Sequence, residues 1–182
     1  MSGLSEHRSP NVVMRVAEDA DLDALRRLLK AVITHMPYTP AQQQRLFSLS
    51  FNALRMLTPL GTVYVAQVAE QVIGSAGWNI GPLNHDLLKM ISFTVPENSA
   101  LVYSMYVHPT YAARGIGKQI LKTCELAARR VGAHRVILAT TPAGEGLPLS
   151  NHYREMARTE LLVGGDSGLP LTWFKKSLDI TT

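Results

Sequence analysis

The stretch YAARGIGKQIL, Tyr111 to Leu121, decides the fold of this 182-residue chain. Two glycines one residue apart, Gly115 and Gly117, stand between Arg114 and Lys118 and lead into a helix-forming run. The start of a helix presents unpaired backbone amides and the positive end of its dipole, so a stretch of this kind suits a phosphate. Working outward, Leu101 to Val107 is almost continuously apolar or aromatic, as a strand buried on both faces would be. On the other side Ile116, Ile120, Cys124, Ala127, Ala128 and Val131 mark one face of a helix, with Gly132 placed as its C-cap. Val136 to Ala139 is a second apolar strand. Strand, helix and strand in this order make a βαβ crossover, with the two strands parallel and the connection right-handed.

Three phosphate-binding templates can be laid on the glycine loop. A P-loop needs a glycine where Ala112 stands and Ser or Thr where Gln119 stands. A dinucleotide-binding fingerprint needs a third glycine at Ile120. The segment Val107 to Lys118, VHPTYAARGIGK, instead resembles the GNAT superfamily of acyl-CoA-dependent N-acetyltransferases. Their signature is Gln or Arg, two residues, Gly, one residue, then Gly or Ala, between a buried strand and a long helix. Gly115 and Gly117 match; Ala112 departs from the Gln/Arg position, where Arg114 could compensate.

The flanking sequence supplies further elements. Val12 to Ala17 reads as a strand, followed by a helix capped by Asp19 or Asp21 on which Leu22, Leu25, Leu28, Leu29 and Val32 recur. Thr39, Pro40 and Gln42 form a capping box that predicts a helix to about Met56. Val63 to Trp78 reads as a β-hairpin turning at Ala69 to Gln71. Residues 80–100 make a long connection, containing LLKMISF, that serves either substrate or an interface. After Ala139 come a loop from Pro142 to Leu149 and a short helix expected around Ser150 to Ala157. Two strands, Thr159 to Val163 and Leu169 to Phe174, then flank the turn sequence GGDSG.

Composition bounds the classes of function. The chain is 46% hydrophobic and 18% charged, proportions of an ordinary folded domain, and it is expected to form one domain over 1–182 with a flexible stretch at 1–10. A single cysteine, Cys124, leaves no intramolecular disulfide and no cysteine-rich zinc site. The start MSGLSEHRSPN lacks the apolar run of a signal peptide, and no run reaches the roughly 18 apolar residues of a membrane span, so a cytoplasmic location without membrane insertion is expected. The net charge of +4 is scattered over the sequence, which argues against a nucleic-acid interface.

The resemblance implies an α/β (α+β by some schemes) single-domain fold. Its central mixed sheet would have about seven strands flanked by about four helices, with a parallel β4-α3-β5 unit. It also implies acetyl-CoA as cosubstrate, no metal, and transfer of acetyl to a primary amine of a small molecule or peptide by direct attack in a ternary complex. The alternative is an acyl-CoA-binding module with little catalysis; a homodimer is left open. The backbone of Met105, Tyr106 and Val107 would hold the pantetheine arm, and Ala113, Arg114, Gly115, Ile116, Gly117 and Lys118 would cradle the pyrophosphate. HYREMA resembles the family's helix motif, which would make Tyr153 the acid for the departing thiolate. Leu101 occupies the position of a glutamate base in some members, leaving Glu97, Glu145, His85 or water as candidates. His108, ahead of Pro109 at a strand end, reads as structural. Tyr38, Phe47, Phe51, Trp78 and Tyr103 are either acceptor-pocket or core residues.

Overall fold

The computed structural model describes residues 11–82, 93–162 and 168–178. β1 (Val13–Val16) leads into α1 (Leu22–Ile33), whose Leu25, Leu28, Leu29 and Ile33 are buried as the spacing predicts. The Asp21 side chain caps no helix amide directly. Instead its carboxylate receives both guanidinium nitrogens of Arg15 at 2.7 Å and the Glu18 amide at 2.8 Å, tying strand to helix. α2 (Pro40–Leu57) starts with the predicted capping box: Gln42 donates its amide to Thr39 Oγ1, and Thr39 donates its amide to Gln42 Oε1. β2 (Val63–Val68) and β3 (Gln71–Ile80) form the hairpin, and β4 (Ser99–Val107), α3 (Ile116–Arg130) and β5 (Arg135–Thr140) form the crossover. α3 ends where Gly132 adopts φ +89°, a left-handed conformation suited to glycine. The chain closes with α4 (Gly146–Ser150), β6 (Arg154–Leu161) and β7 (Leu169–Ser177).

The seven strands lie in one sheet in the order β1-β2-β3-β4-β5-β7-β6, with β4 and β5 parallel and every other pairing antiparallel. α1 and α2 cover one face around Leu25, Leu29, Leu54 and Leu57. α3 covers the other through Ile116, Ile120, Leu121 and Cys124. Both approaches depend on glycines in β3. A Cβ at Gly74 would lie 2.7 Å from Ile120 Cδ1 on α3, and one at Gly77 would lie 2.8 Å from Leu57 Cδ1 on α2. The two glycines let helices on opposite faces seat close to the same strand.

One element differs from its sequence reading. The helix expected around Ser150 to Ala157 is replaced by α4, which ends at Ser150, and by β6, which begins at Arg154. Arg154, Glu155, Met156 and Ala157 are good helix formers, but β7 offers a ladder partner and long-range pairing overrides local preference. His152, at φ +66°, turns the chain out of the helix, with its amide bonded to Leu149 O and that of Tyr153 to Pro148 O. The apolar loop segment is described only from Phe93 onward, where Phe93 meets Trp173 edge to face at 5.3 Å. Residues 1–10, His85 and most of GGDSG lie outside the described residues.

Candidate functional site

β4 and β5 pair only from Ser99/Arg135 to Val102/Leu138. Beyond that point β4 stays with β3 while β5 stays with β7 as far as Thr140, so the two parallel strands part. A cavity of about 680 Å³ opens there, walled by Ser104–Val107 on one side and Leu138–Thr141 on the other. At the parting β4 carries an extra residue: Ser75 faces Tyr106 and Gly77 faces Tyr103, leaving Ser104 and Met105 across from Ala76. Ser104 sits at φ +52°, a conformation a non-glycine residue adopts only when its surroundings hold it. They do so from two sides, because Ser104 Oγ donates to Ser50 O at 2.9 Å and Ser75 Oγ donates to Ser104 O at 3.3 Å. A bulge of this kind interrupts the ladder and leaves backbone groups of β4 without a strand partner beside the cavity.

The glycine loop forms one end of the cavity through Ala112, Ala113, Gly115, Ile116, Gly117 and Lys118. Ala113 at φ +58° and Gly115 at φ +77° are both left-handed, and Gly115 is the N-cap of α3. The loop therefore curls so that the first amides of a 15-residue helix face the cavity, an arrangement suited to an anion. A Cβ at Gly117 would come within 3.2 Å of Leu147 Cδ2, so this glycine sets how closely α3 and α4 approach. The Arg114 guanidinium lies over the Tyr111 ring, 5.5 Å from its centroid, and Arg114 does not line the cavity. His108 is structural: its Nδ1 accepts the Thr110 amide at 3.3 Å and caps the turn that precedes the loop.

The other end of the cavity is built by side chains of Val32, Met36, Leu46 and Leu171, with Tyr106 beside them. Nothing in their spacing marks the first four as site residues, because each also serves the core around α1 and α2. Burial pushes the Tyr106 phenol up to about 12, and its oxygen shares a 3.0 Å hydrogen bond with Ser50 Oγ. Tyr38, Phe47, Phe51 and Tyr103 pack within or against the same core and do not line the cavity, whereas Trp78 is buried on the α3 face.

Of the predicted cofactor-binding residues, Met105, Tyr106, Val107, Ala113, Gly115, Ile116, Gly117 and Lys118 converge on one cavity. Tyr153 does not join them. It is 3% exposed in the α3-face core, and its hydroxyl donates to Glu125 Oε1 at 2.9 Å. Lys176 Nζ reaches the same carboxylate at 3.0 and 3.1 Å. Burial, reinforced by the Glu125 charge and hydrogen bond, holds the Tyr153 proton far more tightly than in an ordinary tyrosine. The group thus fastens the entry to β6, and β7, to α3. Among the base candidates, Glu145 Oε1 accepts from Thr172 Oγ1 at 2.6 Å, and Leu101 is core. Glu97 is exposed at the far end of β4 from the bulge.

Comparison with known proteins agrees with this architecture. Residues 25–147 match the sequence profile of the Acetyltransferase (GNAT) family. Among solved structures, yncA of Salmonella typhimurium, described as a putative acetyltransferase with its cofactor acetyl-CoA, is similar at 20% identity and a TM-score of 0.64, over 94% of this chain and 96% of that one. A ribosomal-protein-alanine N-acetyltransferase from Brucella melitensis is similar at 23% identity and 0.63, over 91% and 99%. The PaiA N-acetyltransferase of Thermoplasma acidophilum, in complex with coenzyme A, is similar at 14% and 0.67, over 92% and 99%. No curated protein matches the chain. With a parted β4 and β5, a bulge at Ser104, a glycine loop opening α3 and a family match over most of its length, this chain belongs to the GNAT acetyltransferase family.

Proposed function

We propose that the protein is an N-acetyltransferase that binds acetyl-CoA in the β4/β5 cleft and passes its acetyl group to a primary amine of a small molecule or peptide. The carrying observation is the alignment of three features in one cavity: a strand edge at Met105–Val107, a bulge at its head, and the amide-rich start of α3 at its end. The freed edge of β4 can pair with the amides of a pantetheine arm as with an added strand. The loop from Ala113 to Lys118 suits the pyrophosphate through backbone amides, with Lys118 adding charge.

Bound acetyl-CoA supplies an activated thioester. A fixed amide of the bulge, at Met105, would stabilise negative charge on the acyl oxygen as the amine nitrogen bonds to the acyl carbon. The carbon–sulfur bond breaks with its electron pair on sulfur, and the proton lost by nitrogen goes to solvent. A thiol of ordinary acidity, with a pKa of about 8.5, can depart as thiolate without prior protonation. Tyr153 is therefore assigned the fastening role its Glu125 bond supports, in place of proton donation.

A binding module with little catalysis is favoured by one observation, the absence of Tyr153 from the cavity wall. Calorimetry with acetyl-CoA and CoA tests the site, and absence of binding by either overturns both readings. Thiol release over a panel of amines separates enzyme from module. A cytoplasmic location is proposed alongside; among the described residues no helix is long and apolar enough to cross a membrane.

A further inference from the structure

We infer that the acceptor is a singly charged primary amine borne on a hydrocarbon group, an alkyl or arylalkyl amine, seated between α1, α2 and β7. This rests on the acetyltransferase reading of the cleft. The end of the cavity away from the glycine loop is lined by Val32, Met36, Leu46 and Leu171, with the Tyr106 ring beside them. Of the described residues lining the whole cavity, Lys118 alone carries charge, and it lies in the glycine loop.

Three polar residues beside this end, Ser50, Ser104 and Tyr106, are already engaged with each other. Tyr106 and Ser50 share a hydrogen bond, and Ser104 donates to the Ser50 carbonyl. A ligand with many hydroxyl or ammonium groups would lose its water there without matching partners, a penalty that hydrogen bonding elsewhere does not offset. A hydrocarbon group loses nothing of the kind and gains the burial of its surface. The overall charge of +4 further disfavours a polycation in the encounter.

The apolar end is also preformed. The turn after α1 that carries Met36 is pinned, because the Met36 carbonyl accepts the Tyr38 amide at 2.8 Å and Gln43 Nε2 at 3.0 Å. The Met36 amide in turn donates to Ile33 O at 3.1 Å. A preformed apolar wall makes selectivity depend on how much surface the acceptor buries.

The test is calorimetric titration of the CoA-saturated protein with n-butylamine, n-hexylamine, n-octylamine, phenethylamine, spermidine and glucosamine. Affinity is expected to rise about fourfold per methylene until the end is filled, the equivalent of about 0.8 kcal/mol each. Spermidine and glucosamine are expected to bind at least tenfold more weakly than n-hexylamine. Affinity independent of chain length, or spermidine or glucosamine binding as tightly as n-hexylamine, overturns the inference while leaving the acetyl-CoA site intact. A protein that fails to bind CoA overturns both. Met36→Glu places a carboxylate at the apolar end and should weaken n-hexylamine at least tenfold, with CoA affinity and the far-ultraviolet spectrum unchanged. Unchanged n-hexylamine affinity in that variant overturns the placement; if it fails to fold, Val32→Thr serves the same comparison with a smaller expected loss.

Discussion

The two ends of the cleft are made of different material. At the α3 end the cavity-facing groups are largely backbone, shaped by the left-handed Ala113 and Gly115 and by the close fit of Gly117 against Leu147. At the far end they are side chains of Val32, Met36, Leu46 and Leu171, drawn from elements distant in sequence. A backbone site needs particular residues at fixed spacing, because only glycine combines free backbone with little bulk. A side-chain site needs only shape and polarity, which many sequences supply. On the function proposed above, the first end can specify the cofactor's phosphates, while the second sets the shape and polarity of the acceptor.

The sharpest way to break this contrast is Gly117→Glu, which sets bulk and negative charge at the helix start. Calorimetry should show CoA affinity falling at least about 100-fold, given the loss of an anion contact and the added repulsion. Unchanged affinity would remove the backbone end from the cofactor site. Gly115→Val forces a β-branched side chain to φ +77°, and chemical denaturation should report a loss of about 2 kcal/mol. Tyr153→Phe removes the hydroxyl from Glu125 while Lys176 remains bonded to it. A loss of about 1 kcal/mol is expected, with turnover per folded molecule unchanged. A fall in turnover with unaltered stability would restore Tyr153 as proton donor.

Smaller again is the effect of acid on the Arg15–Asp21 fork. The Arg15 hydrogen bonds and charge hold the Asp21 carboxyl below the usual carboxylate range. A depressed value means that the ionised form is favoured by folding. The contribution is therefore complete above about pH 4 and drains away as pH falls through the lowered value. Asp21→Asn should melt below the parent at pH 7, with the gap closing toward pH 2. A gap that persists at pH 2 would mean that the fork is held by packing rather than by charge.

How much of this is legible in the sequence follows the same division. The βαβ unit, the capping box at Thr39 and the glycine loop each depend on local residue chemistry, and each stands where the pattern puts it. The bulge at Ser104 leaves no mark, because Leu101 to Val107 reads as an uninterrupted strand and the distortion is imposed by Ser50 and Ser75 from neighbouring elements. The segment around Tyr153 departs from its expected helix for a related reason. Its residues favour a helix in isolation, and only the ladder with β7 turns them into a strand and seals the tyrosine against Glu125. The cavity's apolar end is invisible because its residues look like any other core aliphatics.

Gly74 bears on the cleft from the opposite side. It pairs with Val107 at the foot of the cleft wall, and the space where its side chain would stand is filled by Ile120, one helical turn beyond Gly117. A residue with bulk at 74 would act as a wedge under α3, levering the helix and its glycine loop away from the strand that forms the other wall of the cavity. The distance from glycine loop to strand edge is thus calibrated from behind, by a position that does not line the cavity. Substitutions there would change the length of molecule the cleft accepts before they change its chemistry.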